Sequence, residues 1–349
     1  MEQVNSALRG TWCKGKSLFF LCVKKSRDLF STPVFYIPLF LKIVASFFLA
    51  SPHITESLVP FVKFFVFSGG VDPYSHFYTN GVTDAFPYPS LMLLILSACY
   101  WLIGLFSVGI HTSLSTIDVF LLRVPLLLAD IGVVIILLTW FKERKKEILW
   151  LYWCSPVLFY ITYIHGQLDV LPIFLLFCFL YFLFREYDYI AFIFLGLAIS
   201  VKTGIVVVLP FAVLYLLKER VSLSSTFSKI TIPITTYLLL NLFYIHNQAF
   251  SLMVLKTKEG FRIFDLIVSY GNTLVLYIVP GILLILIFYF ATLKRYSRNV
   301  FMTFLGFSFL SSSCVSPLSK VGIFGYFLLQ YIFMYKNRRE SGFHYTSCR

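Results

Sequence analysis

Charged side chains are scarce in this chain: 13% of its 349 residues are charged, whereas 59% are hydrophobic. A soluble domain carries about a quarter charged residues. Apolar runs close to the length of a bilayer-crossing helix recur along the sequence, and basic residues stand between them. The shortage of charge therefore excludes an ordinary soluble domain and predicts a polytopic membrane protein.

Acidic residues are the scarcer kind of charge, with 16 Asp and Glu against 29 Lys and Arg, and the net charge is +13. Such an excess can indicate a nucleic-acid partner. Here the basic residues form short clusters between apolar spans, of which "KERKKE" (142–147) is the densest. This is the positive-inside pattern of cytoplasmic loops that face anionic lipid. We therefore predict membrane lipids, and no nucleic acid, as partners.

Cysteine pairs and glycine-rich loops are also missing. None of the seven cysteines belongs to a C-x-x-C pair, so the sequence predicts neither a disulfide framework nor a zinc site. No glycine-rich phosphate loop of the nucleotide-binding kind is present. We predict no metal and no cofactor.

The apolar runs predict an all-α fold, a helical bundle of about 10–12 membrane-spanning helices. We expect one integral membrane domain over residues 1–349, with interfacial helices in its outer loops. The candidate spans are 33–50, 89–108, 118–140, 148–164, 168–184, 189–201, 203–217, 230–246, 270–292, 299–316 and 321–335.

Two long connections, 51–88 and 247–269, mix aromatic and ionisable residues and are predicted to be helical and to lie on the outer side of the membrane. If every span crosses once, an outer 51–88 also places "KERKKE" outside, against the positive-inside rule. We take "KERKKE" as cytoplasmic, which gives a consistent topology for the second half. The region 89–117 is then either re-entrant or contains an unrecognised crossing.

One polar segment interrupts the apolar runs: "HGQLDVLP" (165–172). An ionisable residue near membrane depth is by default a functional-site hypothesis. In the topology above, this segment and Lys202 face the outer side, together with the acids of 51–88. Such a site suits sugar transfer from a lipid phosphate, which needs a carboxylate to deprotonate the acceptor and a cation to stabilise the leaving phosphate.

Five short motifs occur along the sequence, and each is weak alone, but their order adds specificity. They are "TESLVPFVKFFVFSGGVDPY", "FPYPSL", "LLRVPLLLAD", "SPVLFYITYIHGQLD" and "GLAISVKTGIVVVLP". In this order, residues 33–217 resemble the GT-C superfamily of polyprenyl-phosphate-sugar-dependent glycosyltransferases, including dolichyl-phosphate-glucose and -mannose transferases and their bacterial relatives. Residues 218–349 are interpreted as more variable C-terminal helices. Glu56 stands where relatives usually have Asp, and "SPLSK" (316–320) stands where they have "HEK" or "SPQY".

The resemblance implies a metal-independent, inverting transfer of a hexose, mannose or glucose, from a polyprenyl-phosphate donor to a lipid-linked or cell-envelope glycan. Glu56 is the expected catalytic base, and Asp72 is its rival. Asp84 and Tyr88 are expected to bind the acceptor. The expected ligands of the donor phosphate or sugar are His165, Gln167, Asp169, Lys202 and Arg262.

Most of these residues also have a structural interpretation. Asp72 precedes a proline and is typical of an Asx turn, and Asp84 suits a helix cap. A lysine at the end of a span often extends to the lipid headgroups, which is the alternative for Lys202. His165 and Gln167 can form a polar helix terminus, and Arg262 a solvated loop. Arg123 and Asp130, seven residues apart, are expected to satisfy neighbours inside the bundle.

Two other functions remain open. A transporter or flippase of lipid-linked glycans typically has inverted repeats and mid-membrane polar groups, and we find no repeat. A structural membrane subunit leaves the polar cluster without a role. We expect a bacterial cytoplasmic membrane, or the endoplasmic reticulum if the chain is eukaryotic.

The topology makes a testable prediction: Thr55 and Thr203 face the same side of the membrane, because a base must reach the acceptor beside the donor phosphate. Cysteines at these two positions, in a background without native cysteines, should react with an impermeant thiol reagent added from one side. Labelling from opposite sides would rule out a shared pocket.

Overall fold

The computed structural model describes residues 33–104, 115–219, 223–257, 264–270, 274–293 and 298–313. This part of the chain is mostly helical, with one short antiparallel hairpin. Its α-helices are α1 (Pro33–Phe48), α2 (Val59–Phe67), α3 (Pro73–Thr79), α4 (Ser90–Gly104), α5 (Thr116–Trp140), α6 (Lys145–Ile148), α7 (Pro156–Phe159), α8 (Val170–Leu183), α9 (Asp188–Val201), α10 (Val208–Glu219), α11 (Leu223–Leu240), α12 (Gln248–Phe250), α13 (Ile278–Thr292) and α14 (Arg298–Ser313).

Several α-helices continue into, or begin from, turns of other helical types. Four segments are π-helical and two are 3₁₀-helical. The π-helical segments are His53–Leu58, Leu149–Trp153, Tyr160–His165 and Ser251–Leu255, and the 3₁₀ segments are Lys142–Arg144 and Thr203–Val207. The π-helical segments matter for the site, because such turns occur frequently where function requires an irregular helix.

The membrane-spanning character is shown for part of the bundle. By length and composition, α5 is the one described helix that is able to cross a membrane alone. Two bent pairs pass the same test together: Pro33–Phe48 with His53–Phe67, bent by 61°, and Lys145–Trp153 with Pro156–His165, bent by 42°. Five further apolar helices of the described ranges are shorter. The expected count of 10–12 crossings therefore stays a prediction.

The predicted spans agree with the observed helices through most of the chain, and 51–88 is helical as expected. The predicted span 270–292 was wrong at its start: Tyr270 and Leu274–Tyr277 lie in β-strands and not in a helix. Ile267–Tyr270 (β1) pairs with Leu274–Tyr277 (β2), in a register that matches Ile267 with Tyr277. The strands read IVSY and LVLY, and their Ile, Val and Tyr residues favour an extended backbone. The span 321–335 lies outside the described residues.

Helix α8 forms the centre of the bundle. Twelve of its fourteen residues are buried, and a helix that is apolar on all sides is stable only when surrounded by protein or lipid. Helix α8 packs against α5 and α9, while α9 also packs against α11 and α5 against α1 and α4. The buried apolar side chains form one continuous core cluster.

A buried ion pair connects three parts of this bundle. The Lys42 Nζ atom of α1 donates to Asp130 Oδ2 of α5 at 2.8 Å. Two tyrosines of the bent segment 145–165 provide further hydrogen bonds to this carboxylate. The hydroxyls of Tyr152 and Tyr163 donate to Asp130 at 2.8 and 2.9 Å. Lys42 also lies 3.4 Å from the ring centre of Trp153. The ammonium and the carboxylate therefore each have several partners in an apolar surrounding.

The arginine of α5 is also used inside the bundle. Arg123 is fully buried, and its Nη1 donates to the backbone carbonyls of Ala45 and Leu49 at the end of α1. These are carbonyls of a helix C-terminus, which a cation stabilises. The prediction that Arg123 and Asp130 make hydrogen bonds with neighbouring groups inside the bundle is thus confirmed.

Removing the carboxylate should reveal how much this network contributes. We expect Asp130→Asn to destabilise the protein by about 3–5 kcal/mol, because it leaves the buried Lys42 ammonium without its counter-charge. Thermal and denaturant unfolding in detergent micelles measures this loss.

The pair between Arg144 and Glu147, at 3.6 Å, provides the control, because the Glu147 side chain is 45% exposed. Water can solvate the charge at this position, so Glu147→Gln should cost less than Asp130→Asn, about 1 kcal/mol or below. The double variant Lys42→Met/Asp130→Asn should recover part of the stability. Equal stability of Asp130→Asn and the parent would show that Lys42 does not depend on this partner.

Candidate functional site

The segment "HGQLDVLP" begins at the end of a π-helical turn. The last residue of Tyr160–His165 is half-buried His165, and the next residue, Gly166, has a left-handed backbone with φ of 86°. The amides of Gly166 and Gln167 both donate to the carbonyl of Ile161, at 3.1 and 3.0 Å. The chain therefore closes the helix tightly and turns into α8 within a few residues.

The loop that carries Glu56 packs directly against this turn. Ser51 Oγ donates to the carbonyl of His165 at 2.7 Å, and Ile54 lies over Gly166. A Cβ atom on Gly166 would stand 2.2 Å from Ile54 Cδ1. Only glycine allows this approach and the positive φ together. The structure thus brings the two segments together as the sequence predicted.

Glu56 itself lies in the π-helical segment His53–Leu58 and is exposed. Its carboxylate makes no hydrogen bond or ion pair with the described part of the chain. An exposed carboxylate next to a polar helix turn is available to a ligand, which is the state that a general base requires.

Asp169 and Lys202 form an ion pair at the same end of the bundle. Asp169 precedes α8 and Lys202 follows α9, and these two helices pack antiparallel so that their ends meet. Asp169 is 2% exposed, whereas the Lys202 side chain is 18% exposed. Asp169 Oδ2 is buried and has no hydrogen-bond partner in the structure. Lys202 is therefore neutralised by Asp169 but remains in contact with solvent.

Asp72 is engaged in structural hydrogen bonds. It caps α3 by accepting from the amides of Tyr74 and Ser75 at 3.0 and 3.3 Å. Asn247 Nδ2 also donates to Asp72 Oδ2 and to Ser75 Oγ, the latter at 2.8 Å. These three N–H groups favour a structural role for the Asp72 carboxylate. It caps α3, and through Asn247 it links the connection 51–88 to the connection 247–269.

The proposed acceptor residues both lie in the loop between α3 and α4. Asp84 is exposed in the loop before α4, while Tyr88 is half-buried and its carbonyl accepts from the hydroxyl of Tyr74 at 2.9 Å. Burial raises the pKa of Tyr74 well above its ordinary value, and Tyr244 and Asp72 raise it further. Tyr74 therefore stays a protonated donor, and it holds the loop in place.

The predicted site residues thus form two groups. Glu56, His165, Gln167, Asp169 and Lys202 belong to segments that touch one another. Asp72, Asp84 and Tyr88 belong to the surroundings of α3, and Arg262 lies outside the described residues. Among the described residues, no group of three or more His, Cys, Asp and Glu side chains is arranged to hold a metal ion.

Sequence reasoning missed Lys42, Tyr152 and Tyr163. A signal for Lys42 was present, because it is a lysine inside the apolar run of α1. The tyrosines carried no such signal, since aromatic residues are abundant throughout the chain and mostly typical of membrane interfaces.

Comparisons with protein-family models, with curated proteins and with solved structures found no match to this chain.

The close packing at Gly166 is testable with a double-mutant cycle. Gly166→Ala should be destabilising, since the left-handed backbone costs a residue with a Cβ roughly 1–2 kcal/mol and the new methyl meets Ile54. Ile54→Ala removes the opposing atoms, so the double variant should be more stable than the summed single losses by about 0.5–3 kcal/mol.

Gly204→Ala is the matched control, because a Cβ there meets nothing within 4 Å. It should leave the unfolding temperature in detergent nearly unchanged. Strict additivity of the Gly166 and Ile54 substitutions would contradict the contact.

Proposed function

We propose that this chain is an integral membrane glycosyltransferase of the GT-C type. It moves a hexose, mannose or glucose, from a polyprenyl-phosphate sugar to a lipid-linked or cell-envelope glycan on the non-cytoplasmic face. The observation that carries the proposal is the contact between the segments of Glu56 and His165, beside the pair of Asp169 and Lys202. An available carboxylate and an accessible cation then lie at one end of a helical bundle.

The roles follow from the chemistry of an inverting displacement. The Glu56 carboxylate takes the proton of the acceptor hydroxyl, whose oxygen forms a bond to the anomeric carbon of the sugar. The bond from that carbon to the phosphate oxygen breaks, and the polyprenyl phosphate leaves with the electron pair. Cationic N–H donors stabilise the charge on the departing phosphate.

Because Lys202 is paired with Asp169, only part of its ammonium group is available to the donor substrate. A lysine ammonium has three donors, of which one is held by Asp169. The Lys202 side chain is 18% exposed, so a sugar or phosphate oxygen can accept from the other donors. Asp169 is then a positioning residue for Lys202, and His165 and Gln167 supply polar contacts at the same turn.

Glu56 is preferred to Asp72 as the base because of what each carboxylate already binds. Asp72 accepts three N–H groups, so its oxygen atoms are already engaged in hydrogen bonds that hold α3 and Asn247. Glu56 has no such partner among the described residues. We therefore assign to Asp72 the cap of α3 and to Glu56 the proton transfer.

Substitution of the base separates binding from transfer. Glu56→Gln keeps the shape of the side chain but cannot accept the proton, so transfer should slow by about a hundred- to ten-thousandfold while donor binding persists. The measurement is transfer from labelled polyprenyl-phosphate hexose in nanodiscs, with donor binding determined separately. Glu56→Asp should retain part of the activity.

Asp72→Asn is the paired variant, and Asp84→Asn tests the acceptor side. Asp72→Asn keeps one side-chain oxygen that can cap α3, so it should lower stability by less than about 1 kcal/mol, with little change in turnover. A Glu56→Gln enzyme as fast as the parent, together with an inactive Asp72→Asn enzyme, would move the base to Asp72. In sealed vesicles that contain the parent protein, uptake of the labelled donor without cleavage would instead identify a transporter.

A further inference from the structure

The hairpin of β1 and β2 is attached to the start of α13. The amide of Ile278, the first residue of α13, donates to the carbonyl of Leu266 at 3.0 Å. At the opposite end of α13, Lys218 donates to the last carbonyls of the helix. Lys218 stands in the last turn of α10, whose chain follows Lys202, so α10 and α13 end side by side. The hairpin therefore lies toward the end of the bundle that carries Lys202.

Helix α13 is too short to cross a bilayer alone. Its 15 residues span about 22 Å, whereas the hydrocarbon core is about 30 Å thick. The basic run "LKRYSR" (293–298) follows its end, and the positive-inside rule places that end at the cytoplasmic headgroups. The start of α13 then falls short of the outer boundary of the hydrocarbon. A hairpin attached at this point begins at membrane depth.

Both faces of the hairpin are apolar and exposed. Consecutive side chains of a strand point to opposite faces, and directly paired residues share a face. Val268 and its partner Leu276 lie on one face, and Ile267 and its partner Tyr277 lie on the other, with exposures from 46% to 56%. A sheet with one face in water typically carries polar side chains on that face. The strands contain no charged residue, so their composition favours apolar surroundings on both faces.

The exposed apolar surface continues from the hairpin onto α13. Leu284, Ile285 and Phe288 of this helix are all exposed, and large apolar side chains on the outside of a membrane bundle face lipid. Among the described elements, α13 is the main packing partner of the hairpin. Lipid is therefore the surrounding that the hairpin shares with the helix to which it is attached.

The backbone of the hairpin limits how deep it can lie. Each edge of a two-stranded sheet presents N–H and C=O groups that no further strand pairs. Such edges do not occur within hydrocarbon, where nothing forms hydrogen bonds with them. At the boundary with the headgroups, water reaches them. Tyr277, whose ring packs edge-on against Phe264 with a centroid distance of 5.6 Å, suits the same level, because tyrosine is enriched at this boundary.

We infer that the hairpin of β1 and β2 is a membrane anchor, which inserts into the outer leaflet at the boundary between hydrocarbon and headgroups. Its apolar faces contact acyl chains, and its strand edges reach interfacial water. The anchor compensates for the short length of α13 and holds the start of that helix at the outer boundary. The inference depends on the membrane location of the chain and not on glycosyl transfer.

Spin labels measure this position in the full-length protein. Val268→Cys and Leu276→Cys, one at a time in a background without native cysteines, carry a nitroxide in phosphatidylcholine nanodiscs. Collisions with oxygen, which concentrates in hydrocarbon, are compared with collisions with a water-soluble nickel chelate. Ile285→Cys on the exposed side of α13 is the hydrocarbon control, and Thr83→Cys in the exposed loop before α4 is the water control. The oxygen-to-nickel ratio at both hairpin positions should lie between those of the two controls.

Bilayer thickness provides a second measurement. Because the end of α13 is fixed at the cytoplasmic headgroups, a bilayer with shorter acyl chains brings the outer boundary closer to the middle of the helix. In dilauroyl lipid, the labels at Val268 and Leu276 should therefore collide with nickel more often than in dioleoyl lipid. The label at Ile285 should change less. A protein that covered the hairpin would make its exclusion of nickel independent of the lipid.

Three results would overturn the anchor. A ratio equal to that at Thr83 would place the hairpin in water. Low collision rates with both reagents, unchanged by bilayer thickness, would show that protein covers it. Spectral broadening that disappears on dilution with unlabelled protein would identify the cover as a second copy of the chain. Sugar-transfer assays on the same samples decide the glycosyltransferase separately, since the depth of the hairpin and the transfer activity are independent readouts.

Discussion

The ion pair between Lys42 and Asp130 is the interaction on which the arrangement of the site depends. In an apolar bundle, a lone ammonium or carboxylate is so costly that each must find its partners within the protein. Asp130 of α5 obtains them from α1 and from two tyrosines of the segment 145–165. The three elements are thereby held at one relative position, with the end of α1 next to the turn that carries His165.

In the region proposed for ligands, some buried polar atoms lack the hydrogen-bond partners that they need. Around Asp130 every charge has partners, and this part of the bundle has a structural role. Nearer the end of α1, Arg123 satisfies two backbone carbonyls but leaves two of its nitrogen atoms unpaired, and Asp169 keeps one unpaired oxygen beside Lys202. Buried polar atoms in folded proteins are nearly always paired. The unpaired atoms therefore point to a ligand or to water at this end of the molecule.

Irregular helix geometry places the candidate site residues at that end. The segments His53–Leu58 and Tyr160–His165 are both π-helical, and each carries a polar residue of the candidate site at or near its wider turn. Gly166 allows the second segment to stop abruptly and lets Ile54 approach its backbone. Without this close approach, Glu56 and His165 would belong to separate surfaces.

Composition and hydrophobic pattern alone determined the helical class of this chain, the approximate positions of its helices, and the exceptional character of "HGQLDVLP", because these depend on local properties of the sequence. They failed at the hairpin of β1 and β2, where a short apolar run suits strand and helix equally. Which charges neutralise one another was decided by the tertiary structure only: Lys202 with Asp169, Lys42 with Asp130, and Asp72 with the start of α3. Pairing of residues far apart in the chain depends on how the helices pack, and a linear sequence does not specify which helix ends meet.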